Sequence, residues 1–253
     1  MRMAPGNCLE VFWRVQTSAD LPEDDDWLAP EECARLESMS VAKRRGDWRL
    51  GRWTAKRAIA AAWPNLVGER ALPEDASIVI LPAPDGAPEA FVRGERAPLT
   101  VSISHSAQHG FSVVAARPAA IGCDIEEIAE RSDRFVEDYF TERERSIVAG
   151  APDDERALAV ILIWSAKESA LKALREGLRL DTRAVEVSLT GDPARHAGRS
   201  GLTGDEWSPL SVQHGSGNAF LGLWRAHERF VLTVVADGAP EIIGCRHEGG
   251  PPL

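Results

Sequence analysis

The chain has 253 residues, of which 44% are hydrophobic and 27% charged, with eight tryptophans and a formal charge of -10. This mix excludes a disordered polymer and provides enough apolar surface for one large core or two smaller ones on a common plan. The negative balance argues against general affinity for nucleic acid or an anionic membrane unless basic residues cluster locally.

At the start, "CLEVFWRV" alternates as a strand does, and the acidic loop "ADLPEDDDW" follows it. From Pro30 to about Trp63 the pattern is helical, with Gly46 as a bend or junction and Pro64 as the stop. Within it "KRRGDWRLGRWTAKR" holds most of the positive charge of the first half. "LPAPDGAPEA" reads as a proline-rich connection. Two β-branched runs, "PLTVSIS" and "GFSVVAA", flank the polar "HSAQHG" and predict a hairpin. "AAIGCDIEEI" reads as a further strand that emerges into acids. "FTERERSIV" opens a helix through a capping box of Thr141 and Glu144.

Residues 153 to 176 carry acids in front, few breakers within and Gly177 behind, which predicts a helix of about six turns. "RAVEVSL", "PLSVQH", "FLGLW" and "RFVLTVVA" supply later strands, and the tail "EGGPPL" is expected to fray. "QHGFSVVAARP" and "HERFVLTVVADG" echo one another half a chain apart, so two related halves are one reading and chance similarity of amphipathic strands the other. Cys8, Cys33, Cys123 and Cys245 lack the paired spacing of zinc or redox motifs. The N-terminal stretch has no signal-peptide core, and "ALAVILIW" is too short to span a bilayer. A soluble cytoplasmic protein with reduced thiols is the expectation.

Asp124 and Glu126 stand two apart on the predicted strand, so both leave the same face. Such a pair is tolerated at a solvated edge, or around a hard divalent cation, for which carboxylate oxygen suits magnesium. Glu127 and Glu130 nearby favour the solvated edge. On the later helix Trp164, Lys167, Glu168, Leu171 and Lys172 form one continuous stripe. Glu168 and Lys172 are either an ordinary surface pair or part of a site that a third carboxylate completes.

"IGCDIE" followed by "WSAKESALK" resembles the paired signature of the Sfp-type 4'-phosphopantetheinyl transferases. "SISHS", "FTERE" and "GRWTAKRAI" resemble further motifs of that family, in order, over most of residues 40 to 180. The resemblance implies an α+β pseudo-dimer of two similar halves, here 1–118 and 119–253, with the active site at their interface. It also implies transfer of the phosphopantetheine arm of coenzyme A to a serine of an apo acyl or peptidyl carrier protein, releasing 3',5'-ADP. The carrier would belong to a fatty acid, polyketide or nonribosomal peptide synthase, and the enzyme would be a monomer.

Carried over residue by residue, the resemblance makes Asp124, Glu126 and Glu168 ligands of Mg2+, with Glu168 as general base, directly or through water. Lys172 would assist catalysis and contact coenzyme A, and Lys167, Ser104 and His105 would contact coenzyme A. Arg45, Arg52 and Arg57 are the choices for phosphate, which arginine's planar fork suits. Relatives carry Gly-Lys-Pro where this chain has Ala87, so Arg93 or Arg96 would have to replace that lysine. Two other readings compete: a magnesium-dependent nucleotide pyrophosphate hydrolase, and a non-catalytic module that binds coenzyme A or carrier.

Overall fold

The computed structural model describes residues 8–189, 207–215, 217 and 219–244. The first half runs β1 (Cys8–Thr17), α1 (Pro30–Glu37), α2 (Ala42–Val67), β2 (Ile78–Pro82), β3 (Pro88–Val92), β4 (Glu95–Arg96), β5 (Leu99–Ser106) and β6 (His109–Ala116). The second runs β7 (Ile121–Glu127), α3 (Asp133–Tyr139), α4 (Glu142–Gly150), α5 (Arg156–Ala173), β8 (Val185–Leu189), β9 (Ser208–His214), β10 (Ala219–His227), β11 (Phe230–Ala236) and β12 (Ala239–Gly244). The fold is α+β, as the sequence implied. Among the described residues no helix is long and apolar enough to cross a membrane.

Among the described residues three sheets form, in the orders β12-β1-β6-β5, β7-β11-β10-β9-β8 and β2-β3-β4. The two larger sheets meet face to face through Val11, Phe111 and Val113 on one side and Ile125, Leu232 and Val234 on the other. On the outer faces α2 packs its Ala55, Ala58 and Ile59 against Phe12 and Val114, and α5 packs its alanine-rich face against Val231 and Val235. A strand in the middle of such a stack is buried on both faces, which is why "FVLTVVA" of β11 is apolar almost throughout.

The two halves repeat one another in their buried polar chemistry. Lys56 of α2 and Lys167 of α5 are each fully buried, paired at 2.6 and 2.8 Å with Glu32 and Glu144. Each glutamate accepts from the backbone amide of the residue that caps its own helix, Ala29 or Thr141, and also from a strand amide, Ile80 or Val187. Each lysine donates to two backbone carbonyls besides, Trp27 and Asp75 in one half, Thr182 and Val185 in the other. The echoing segments of the sequence become β6 and β11, which hold equivalent places beside β1 and β7.

The halves differ where it matters for a cleft. In the second, β9 and β10 are hydrogen-bonded neighbours; in the first, the corresponding β3 and β5 belong to separate sheets. An opening is left between them.

Several expectations change. "LPAPDGAPEA" is a hairpin rather than a connection, with Pro82 opposite Pro88 at the mouth of its turn. The helical stretch breaks at residues 38–41, not at Gly46, and Pro64 sits inside the last turn of α2, which ends at the left-handed Gly68. Residues 153–155 stay outside α5, and the helix ends at Ala173. Although it lies in the 119–253 segment, β12 pairs in parallel with β1. The tail "EGGPPL" and Cys245 lie outside the described residues.

Candidate functional site

The site grows from the meeting of β5 and β7, each at the edge of its own sheet. Alternation along "SISHS" sends Ser102, Ser104 and Ser106 to one face and Ile103 and His105 to the other. The serine face latches β7: Cys123 N donates to Ser102 Oγ at 3.1 Å, Ser104 Oγ donates to Asp124 Oδ1 at 2.6 Å, and Ser106 Oγ reaches Glu126 Oε2 at 3.4 Å. The opposite face turns Ile103 against Gly51 of α2 and His105 into a cleft beside it.

Close approach brings α5 to the same strand. A Cβ on Gly122 would stand 1.9 Å from the backbone oxygen of Ser169, so only glycine lets the helix lie this near. Ser165 and Ser169 meet Thr233 of β11 at 2.9 and 2.8 Å, locking the helix at that depth. Lys172 then reaches Asp124 Oδ1 at 2.8 Å and Cys123 O at 2.9 Å. Asp124 Oδ1 thus serves a serine from one half and a lysine from the helix, while Oδ2 is buried with no hydrogen-bond partner.

The carboxylates feel one another. Burial, then the charges of Asp124 and Glu126, push the Glu168 carboxyl up to about 7 against the opposing Lys172. Glu126 is raised as well, by burial and by Asp124, with Arg131 and the Trp164 side chain opposing. Burial works to lower the Lys172 pKa, but Asp124, with Cys123 and Glu168, outweighs it and raises the pKa. The Cys123 thiol, pushed up to about 12 by burial, is inert packing.

Whether these residues suit a divalent cation turns on donor type and on the orphaned oxygen. All three carboxylates offer hard oxygen, and a buried carboxylate oxygen with no donor is costly unless something positive meets it. As the side chains lie, however, no three His, Cys, Asp or Glu residues among those described are set to hold a metal ion. The expected three-carboxylate cage is therefore not assembled. The donors fit a magnesium ion held by one or two carboxylates together with a ligand's phosphates, the usual arrangement for that ion.

A cleft of about 500 Å³ lies between α2 and the β2–β3 turn, with Lys43, Arg44, Trp48, Arg52 and His105 in its walls. Arg52 lies over the Trp48 ring at 4.8 Å, and its Nε is buried without a hydrogen-bond partner. Burial lowers it to about 10, against the pull of Glu32. A second cleft, of about 450 Å³, opens between β3 and β5 and includes Ser102, Lys172 and Arg175. Gly86, Pro88 and Ile103 are walls of both.

Of the residues chosen from sequence, the structure brings together Ser104, Asp124, Glu126, Glu168 and Lys172, and sets Arg52 and His105 in the adjoining cleft. Three choices are corrected. Lys167 is fully buried and spent on Glu144 and two carbonyls, so it cannot meet coenzyme A. Arg45 donates to the carbonyls of Leu36 and Met39 at the end of α1. Arg57 stacks on Trp53 and faces Asp75 at 3.5 Å, lining neither cleft. Lys43 and Arg44 were missed because the phase of α2 depends on where it begins. Arg93 pairs with Glu69, and Arg96, though beside the second cleft, is engaged by Glu89.

Residues 120–211 match the family model described as ACPS: 4'-phosphopantetheinyl transferase superfamily. No curated protein sequence matches the chain. Among solved structures, a Chronobacterium ammoniagenes ACPS–CoA complex aligns at 20% identity and a TM-score of 0.36, covering 44% of this chain and 98% of that one. A Thermotoga maritima holo-[acyl-carrier-protein] synthase (AcpS) aligns at 20% identity and 0.34, covering 52% and 74%.

Proposed function

We propose that this chain, whose residues 120–211 match the 4'-phosphopantetheinyl transferase superfamily model, transfers the phosphopantetheine arm of coenzyme A to a serine of an apo carrier protein, as a monomer of the Sfp type. The observation that carries the reading is the junction at Asp124. One carboxylate there ties together a serine of the first half, the lysine of α5 and, through charge, a glutamate at about 7.

Coenzyme A offers a 3'-phosphate and a diphosphate. Arg52 with its buried Nε, together with Lys43, Arg44 and His105, gives the molecule a local cationic cleft despite its net negative charge. The reacting diphosphate would lie toward Lys172 and Asp124. A magnesium ion held there by one or two of the carboxylates of Asp124, Glu126 and Glu168, together with the diphosphate, would neutralise diphosphate charge and supply electrostatic stabilisation of the phosphoryl group.

Glu168 accepts the proton of the carrier serine as its oxygen attacks the β-phosphorus. Without a cation that carboxyl stands at about 7; a bound cation would favour its ionised form, the form able to accept a proton. The new bond joins the serine oxygen to that phosphorus, and the bond that breaks leads to the bridging oxygen of 3',5'-ADP. Lys172, kept protonated by Asp124, offers its ammonium to the charge that builds on the leaving oxygen. The serine ladder of β5 fixes β7 so that Asp124 and Glu126 do not drift apart from α5.

The test is to incubate the protein with coenzyme A, magnesium and a panel of apo carriers and weigh the carriers intact. A gain of one phosphopantetheine supports transfer. Release of 3',5'-ADP with no gain in any carrier points instead to hydrolysis, and coenzyme A binding with neither product points to a binding module.

A further inference from the structure

At the end of α5, Glu176 N bonds back to Leu171 O at 3.1 Å, and Arg175 takes the left-handed conformation, φ +60°. Glycine is the unstrained choice there. The other four described non-glycine residues with positive φ lie in hairpin turns. An arginine that tolerates this backbone at a helix end invites a question about its side chain.

That side chain crosses to the other half. Arg175 Nε donates to Asp85 Oδ2 at 2.7 Å, and Nη2 donates to Asp85 Oδ1 at 3.0 Å and to Glu89 Oε1 at 3.3 Å. Arg179 adds a bond to Asp85 O at 3.1 Å and another to Arg175 O at 2.8 Å, while Arg96 donates to the same Glu89 oxygen, Oε1. A two-pronged guanidinium–carboxylate pair inside a five-charge network is far better defined than a lone surface pair. The Arg175 guanidinium holds the Asp85 carboxyl down at about 2.

Asp85 belongs to the β2–β3 turn. Within itself the turn is held by Gly86 N to Ala83 O and Ala83 N to Ala87 O, both 2.8 Å, and by Ala87 N to Asp85 Oδ1 at 3.0 Å. Those bonds shape the turn without fixing where it stands relative to α5. Its Gly86 and Pro88 are the wall shared by the cleft of Arg52 and His105 and the cleft of Lys172. Arg175 lies only three residues beyond Lys172 on the chain.

We propose that Arg175 and Asp85 form a clasp between the halves that sets the position of the β2–β3 turn, and so the width of the groove that takes coenzyme A. Both are positioning residues: the clasp rests on the reading that this groove takes coenzyme A, and neither side chain acts in the chemistry. With the clasp open, Glu168 and Lys172 keep their places while the nucleotide loses a fixed wall.

The variants Arg175→Gly, Asp85→Asn and their combination test this, with the coenzyme A Kd from calorimetry, KM and kcat from carrier mass, and thermal unfolding alongside. Each single variant is expected to raise Kd and KM about tenfold with kcat held within about twofold. The double variant should be no worse than Arg175→Gly alone, because the contact that Asp85→Asn weakens is already gone once Arg175 is removed. Arg175→Gly should unfold at the wild-type temperature or higher, since glycine accepts the backbone conformation. An unchanged Kd in Arg175→Gly, or a double variant whose loss is the product of the two single losses, overturns the clasp. A wild-type chain that binds coenzyme A yet modifies no carrier refutes the transferase reading and leaves the clasp readable through Kd. A wild-type chain that binds no coenzyme A overturns both.

Discussion

Glu168→Gln should make the metal-free protein more stable while ending transfer. The Glu168 carboxyl sits at about 7 against an ordinary 4.5, displaced by burial and by the charges of Asp124 and Glu126. At about 1.4 kcal/mol per decade, ionising it in the folded chain costs on the order of 3 kcal/mol more than in the unfolded one. Because the folded value is the higher, this stability is fully present below pH 4.5 and is lost as pH rises toward 7. Glutamine has the same shape and no charge, so in chelator the variant should match wild type near pH 4.5 and exceed it by about 2 kcal/mol at pH 8, allowing for partial solvent screening. Urea unfolding across this range, followed by tryptophan fluorescence, reads the difference directly. With magnesium and coenzyme A added, the advantage should shrink or reverse, since the wild-type charge then has a partner. A variant less stable than wild type at pH 8, or a difference that does not grow with pH, would refute the account of three mutually repelling carboxylates.

Gly122→Ala must move α5 away from β7, because the new methyl would fall 1.9 Å from Ser169 O; a loss of about 2–3 kcal/mol in urea unfolding and the collapse of transfer are expected. Lys167→Met leaves the buried Glu144 charge without its partner and should cost about 3–5 kcal/mol in the same assay, with any protein that folds retaining the wild-type coenzyme A Kd by calorimetry. Arg52→Met keeps the contact with Trp48 but removes the cation, so coenzyme A affinity should fall by about tenfold and lose much of its dependence on salt.

What the sequence made legible follows the range of the forces involved. The Thr141–Glu144 capping box and the "TVSIS"/"GFSVVAA" hairpin depend on neighbours a few residues away, and both stand as read. The "LPAPDGAPEA" hairpin was obscured because Pro82 and Pro88 flank its turn, where proline costs little, instead of interrupting its strands. Nothing local tells Lys167 from Lys172: one is sunk against Glu144 and two carbonyls, the other is turned to Asp124, and only the packing of α4 and β7 against α5 separates them. The alternation of "SISHS" marks a three-serine face, but that this face meets β7 is a contact across about twenty residues with no local signature. The Arg175–Asp85 contact joins residues 90 apart, and β12 joins the far end of the described chain to its start; neither pairing leaves a local signature.

The claim on which the account rests is that the carboxylates of β7 and α5 share one divalent cation with the diphosphate of coenzyme A. Manganese binding, followed by the loss of its free-ion EPR signal in the presence of coenzyme A, measures this without requiring turnover. The account predicts one ion per wild-type chain, and a markedly weakened ion in both Asp124→Ala and Glu168→Gln. Equal manganese binding in wild type and both variants would contradict it.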